Sequence, residues 1–132
     1  MSAPAWERRL GGLPATVLPG GLTVHRAASA WARLRGLAGL SELPADRGLL
    51  LPGTRAVHTV GMRVALDLVW LDGAGEVVRV DRGVAPRRHR ACRRARAVLE
   101  VAAGAGTPFA DSAAGATLRA LTVEDSALTR AT

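Results

Sequence analysis

Leu66-Asp67-Leu68-Val69-Trp70-Leu71, then Asp72-Gly73-Ala74-Gly75, then Glu76-Val77-Val78-Arg79-Val80, is the stretch that decides the fold. The first run is apolar and rich in residues that suit a pleated, buried surface. The middle four are turn formers, because Asp and Gly accept the backbone angles a tight reversal needs. The third run is again β-prone, so the segment predicts a β-hairpin.

The same pattern continues on both sides. Upstream, Gly48-Leu49-Leu50-Leu51 before Pro52-Gly53 predicts a buried strand, and Arg55 to Val60 a further extended run. Residues 13–26, LPATVLPGGLTVHR, hold two short runs around Pro19-Gly20-Gly21 and predict another hairpin. Downstream, ARAVLEV (95–101) and TLRALTV (117–123) predict strands, with a turn and a short helix over 104–113. Residues 29–39, SAWARLRGLAG, predict a helix: Ser29 caps it, Trp31, Leu34 and Ala38 form an apolar stripe, and Gly39 stops it. About seven short strands at this spacing, with one or two short helices, predict a mainly-β domain. Its expected form is a compact antiparallel barrel or sandwich. A doubly wound parallel sheet would need regular strand–helix alternation, which is missing. The expected organisation is a flexible tail over 1–12, a single domain over 13–123 and a second tail over 124–132.

The chain has 132 residues, enough for one domain to bury a core unaided. A single cysteine rules out an internal disulfide. No apolar run approaches the roughly 18 residues a membrane helix needs. The first 15 residues carry charges where a signal peptide needs its apolar stretch, so the expected location is cytoplasmic. All 18 basic residues are arginine, and Lys, Ile, Asn, Gln and Tyr are absent, a bias that a GC-rich genome explains. The formal charge of +7 is local. Residues 82–96 hold seven arginines, one histidine and no acid, while the other eleven arginines balance the eleven acids.

Three groups of residues together resemble the DUF192 family of small bacterial and archaeal proteins. They are Arg33-Leu34-Arg35-Gly36-Leu37 with Gly48-Leu49-Leu50-Leu51; His58-Thr59-Val60-Gly61-Met62-Arg63 with Leu66-Asp67 and Leu71-Asp72-Gly73; and Ala97-Val98-Leu99-Glu100-Val101 with Gly104. The resemblance spans about residues 15–123. It implies a small, mainly β, barrel-like domain with a helix near the start, and it carries over no activity. Many members look exported behind a signal peptide, which this chain is expected to lack. The family often has a more aromatic segment where Val60-Gly61 stands, which implies a smaller or different pocket here.

Four patterns carry candidate chemistry. His58, Thr59, Met62, Arg63 and Asp67 form the first. In an extended run alternate residues share a face, so His58 and Met62 fall on one side and Arg63 and Asp67 on the other. Read structurally, Met62 fills the core and Asp67 accepts backbone N–H groups or pairs with Arg63. Read functionally, His58, Arg63 and Asp67 are the polar contacts of a small pocket.

The second is a metal site at His58, Met62 and Asp67. Zinc wants three or four ligands at short spacing, and only His89 and Cys92 are close, so neither metal nor cofactor is expected. The third is a nucleophilic Cys92, whose neighbours Arg90, Arg93 and Arg94 favour a thiolate. No nucleophile motif surrounds it, or any of the five serines, so no catalytic residue is assigned. The fourth is an anion-binding loop of Arg87, Arg88, Arg90, Arg93 and Arg94, expected as a long solvated hairpin. Without an aromatic for stacking, nucleic acid is the weaker partner for it and an unidentified anionic partner the stronger.

The leading expectation is therefore a non-enzymatic binding or accessory module. One alternative is an enzyme with a pocket around His58, Arg63 and Asp67. The other is nonspecific nucleic-acid binding through residues 82–96. Oligomeric state is not legible.

Overall fold

A computed structural model describes residues 3–27 and 29–111, with only the backbone at 30 and 31. The expected strand over 117–123, the C-terminal tail and the side chain of Trp31 lie outside the described residues. The element order is α1 (Ala5–Leu10), β1 (Ala15–Val17), β2 (Thr23–Arg26), α2 (Ala30–Arg35), β3 (Arg47–Pro52), β4 (Ala56–His58), β5 (Leu66–Leu71), β6 (Val77–Val84), β7 (His89–Ala91), β8 (Ala97–Ala102) and α3 (Gly106–Ala110).

The architecture is mainly β and sandwich-like. Six strands form one sheet in the order β1-β2-β3-β8-β5-β6, and β4 and β7 form a two-stranded ribbon. The large sheet is open, not closed into a barrel. One of its pairs departs from the expected antiparallel pattern: β2 and β3 run parallel, Val24 opposite Gly48. Parallel neighbours need a crossover, and α2 lies in the connection between them.

Both hairpins form where expected. Gly20 and Gly21 take φ of 89° and 82° in the β1–β2 turn, a region that glycine enters without steric cost. In the β5–β6 turn, Asp72 Oδ1 accepts the N–H groups of Ala74 (3.0 Å) and Glu76 (2.9 Å), the short-range bonding that makes Asp a turn residue.

Every residue of β5 is buried, as are the first five of β8. The reason is that both faces of the sheet are covered. On one face Leu49, Leu51, Leu66, Leu68, Trp70 and Val98 join a core with Leu10, Leu37 and Met62. On the other, Leu50, Val69, Leu71, Leu99 and Val101 pack with Leu18 and Phe109. Alternate residues of each strand thus go to alternate cores, which is why these strands read as continuous apolar runs.

The N-terminal stretch differs from the expected loose tail. α1 lies within it, places Leu10 in the first core and packs the half-buried Trp6 against the same core. Trp6 and Leu10 are four residues apart and so share a helix face. The guanidinium of Arg47 sits 5.4 Å from the Trp6 ring centre, a cation–π distance.

Candidate functional site

The strand alternation that fills the two cores also sends one charged residue inward. On β8, Val98 belongs to the first core and Leu99 to the second, so Glu100 points to the first face. The residue is 2% exposed. Its cross-strand neighbours, Leu49 on β3 and Leu68 on β5, are apolar. The Leu37 backbone N–H hydrogen-bonds to the carboxyl, and Oε1 has no hydrogen-bond partner. Burial pushes the Glu100 pKa up to about 7, because an ionised carboxylate loses its hydration there; the Leu37 bond opposes that shift only partly.

Above Glu100 the chain leaves α2. Ser29 accepts the Ala32 N–H at 3.0 Å and caps the helix as expected, but the helix stops at Arg35 instead of continuing to Gly39. Gly36 ends it with φ of 52°. A β-carbon there would lie 2.9 Å from Glu100 Oε1, so glycine is required both for the backbone and for the close approach to the carboxyl. From the far side, Arg9 Nη1 donates to the Gly36 carbonyl at 3.1 Å.

Between α2 and β4 lies a cleft of about 320 Å³ with Glu100 in its lining. Leu51, Val57, Met62 and Ala38 give it apolar walls, and Leu34 and Val60 border it. The last two are 68% and 60% exposed, so two of the three large exposed apolar side chains of the described residues flank this one opening. Arg33, Arg35 and His58 supply its basic groups, and Glu100 is the one acid among the described residues that line it. The Gly39 N–H donates to the Gly61 carbonyl at 2.9 Å and ties the two walls together at one end. Gly61 has φ of 87°, and a β-carbon there would meet only Ala38, so it serves the turn and not a close approach. A smaller cavity of about 160 Å³, lined by Leu10, Leu13 and Leu49, lies on the Arg9 side and shares Arg35 and Gly36 with the cleft.

The residues singled out in the sequence are divided by the fold. His58 and Met62 line the cleft. Thr59 is buried and acts as a clasp: its hydroxyl donates to the Ala85 carbonyl at 2.7 Å and accepts the Arg88 N–H at 2.8 Å. Arg63 is exposed and does not line the cleft. Asp67 is 1% exposed and points into the second core, as its register with Val101 requires. Its oxygens accept the N–H groups of Gly83 (2.8 Å), Gly104 (3.0 Å) and Gly106 (2.9 Å). That is the structural role weighed for it. No ion pair joins Asp67 to Arg63 among the described residues.

Residues 82–96 are not one solvated loop. Arg82 lies in β6, and β7 pairs with β4, His89 opposite His58 and Arg90 opposite Val57. Cys92 is 7% exposed and sits in the first core, and Ala95 is fully buried beside it. Arg87, Arg88, Arg93 and Arg94 stay exposed, and none of the four pairs with an acid among the described residues. The basic ribbon therefore backs directly onto the β4 wall of the cleft. Among the described residues no three His, Cys, Asp or Glu side chains cluster as metal ligands would. No helix of the described residues is long and apolar enough to cross a membrane.

Glu100 was quoted in the sequence only as part of a family pattern. The signal that could have singled it out is an acid inside the apolar run AVLEVA, because a strand that is apolar at consecutive positions is covered on both faces, so an acid within it is covered too.

A family model, DUF192, described as an uncharacterized ACR, matches residues 16–110. A crystal structure of a putative transcription regulator from Sinorhizobium meliloti 1021 superposes with a TM-score of 0.61 at 21% identity, covering 76% of this chain and 86% of that one. A protein of unknown function from Novosphingobium aromaticivorans DSM 12444 superposes with a TM-score of 0.57 at 17% identity, covering 79% and 89%. No curated protein matches the chain. At these identities the two structures speak for the fold alone.

Proposed function

The chain belongs to the DUF192 family, and from that premise we propose that it is a non-enzymatic binding module whose cleft between α2 and β4 takes a small amphipathic molecule. One observation carries the proposal: Glu100 Oε1 is buried, unpartnered and set in the lining of a 320 Å³ cleft. A buried polar atom left without a partner costs of the order of 1–3 kcal/mol, and a bound molecule supplying that partner recovers it. The exposed Leu34 and Val60 at the opening suit an apolar body. The basic ribbon adds a positive field at the same opening, which draws anionic molecules toward it.

The test uses three six-carbon probes that differ only in the head group: hexanoate, hexanol and hexylamine. Each is titrated into the whole chain while the methyl signals of Leu34, Val57, Val60 and Met62 are followed. Binding of at least one probe, weakened several-fold in Leu34→Ser, is expected. If none of the three moves these signals at millimolar concentration, the proposal fails.

A second reading is favoured by Arg87, Arg88, Arg93 and Arg94, four exposed guanidinium groups without acidic partners among the described residues. They suit a phosphate backbone. Their replacement by serine then flattens the salt dependence of binding to DNA or RNA, and no binding at low salt ends this reading.

A further inference from the structure

We propose that the cleft selects a small monocarboxylate, held head-inward against the carboxyl of Glu100 with a single proton shared between the two carboxyl groups. The inference rests on the cleft being a ligand site and names its ligand class.

The head group is decided by the charges that line the cleft with Glu100. Leu49 on β3 and Leu68 on β5 flank it in the sheet and offer no charge. Arg33 and Arg35 of α2 and His58 of β4 line the same cleft, and behind the α2 turn Arg9 reaches the Gly36 carbonyl. Among the described residues, every other ionisable group lining the cleft is thus basic. An ammonium head would meet one carboxylate and several cations. An alcohol would satisfy Oε1 and leave the cations without a counter-charge. A carboxylate answers both needs: it balances the guanidinium groups and accepts a hydrogen bond from a protonated Glu100.

Burial favours that protonated form. The Glu100 pKa is raised to about 7, so near neutrality a large share of the molecules carry the proton already. An acid kept neutral by apolar surroundings is a hydrogen-bond donor, the role such groups take opposite oxyanions. The proton balance is simple. Below the Glu100 pKa, the ionised ligand binds to the protonated acid and no proton is exchanged. Above it, the ionised Glu100 must take one proton from solvent as the ligand enters. The tail then runs outward between Leu34 and Val60, which accounts for the exposure of both.

Hexanoate, hexanol and hexylamine bound to the whole chain between about pH 6 and pH 8.5 test this. Hexanoate is expected to bind tightest of the three. Its affinity should be level in the acid part of the range and fall about tenfold per pH unit above pH 7. Calorimetry near pH 8, in buffers of different ionisation enthalpy, should show uptake of one proton. Glu100→Gln, whose amide still donates a hydrogen bond, should keep hexanoate binding and lose its pH dependence. Arg33→Ser with Arg35→Ser should weaken hexanoate more than hexanol. Tighter binding of hexylamine, or a flat hexanoate profile in the unaltered chain, overturns the inference while leaving a ligand-binding cleft in place. Silence from all three probes overturns both.

Discussion

Asp67 and Glu100, the two buried acids of the described residues, stand on adjacent strands and face opposite sides of one sheet. Asp67 is in register with Val101 and Glu100 with Leu68, so each carboxyl shares a face with the other's neighbour. One is saturated by three backbone donors, and the other leaves an oxygen unpartnered. The first arrangement holds the fold, and the second is available to a ligand.

Asp67→Asn should destabilise the protein by about 3 kcal/mol, because an amide nitrogen would face N–H donors that a carboxylate now satisfies. Urea unfolding measures the loss. Probe binding in the cleft should be unchanged at temperatures where the variant is folded. Full stability in the variant would remove Asp67 from its pinning role.

Glu100 makes stability depend on pH. Its folded pKa is raised to about 7 from an ordinary 4.5, so between those values the unfolded chain has lost the proton that the folded chain keeps. Stability is therefore full below pH 4.5, falls as pH rises toward 7 and levels off above it. The total is about 3 kcal/mol. Glu100→Gln should abolish this component of the profile and be the more stable protein at pH 8. A variant whose profile matches the parent across that window would refute the assignment.

Gly36→Ala meets two obstacles, a positive φ and Glu100 Oε1 at 2.9 Å from the new methyl carbon. A loss of about 2 kcal/mol is expected from the backbone strain alone. The carboxyl must also move, so the pH profile of Gly36→Ala should differ from that of the parent. Differential unfolding at pH 5 and pH 8 reports both effects.

Thr59→Val keeps the shape of the side chain and deletes the clasp on Ala85 and Arg88. The Arg88 N–H is left without its hydroxyl acceptor, at a cost of about 1–2 kcal/mol. Amide exchange should speed up over residues 85–91 and stay slow in β8. Uniform acceleration across the chain would argue against a local clasp.

Much of the fold was legible because short-range chemistry decides it. Asp72 and its glycines, the Pro19-Gly20-Gly21 turn and the Ser29 cap act on neighbours a few residues away, and each forms as read. The candidate site was only half legible. His58 and Met62 reach the cleft, but Arg63 and Asp67 do not, because the chain turns at Gly61 and the straight-strand parity assumed across 58–67 is broken there. Leu34 belongs to the apolar stripe of the predicted helix and is exposed, because α2 ends at Arg35 and is too short to bury a full stripe. The arginine stretch reads locally as one loop because the pairing of β7 with β4 joins residues 31 to 35 apart, beyond any local pattern.

The sequence by itself determined the strands of the large sheet, their turns, the family and the confinement of the net charge to residues 82–96, since hydrophobic periodicity, turn chemistry and formal charge are properties of neighbouring residues. Only the tertiary structure decided that Glu100, not Asp67, belongs to the cleft. Both are acids inside apolar strands, and what separates them is which backbone donors the rest of the chain brings to each face of the sheet. Gly83, Gly104 and Gly106 converge on Asp67, while Glu100 meets the Leu37 N–H and an open cleft.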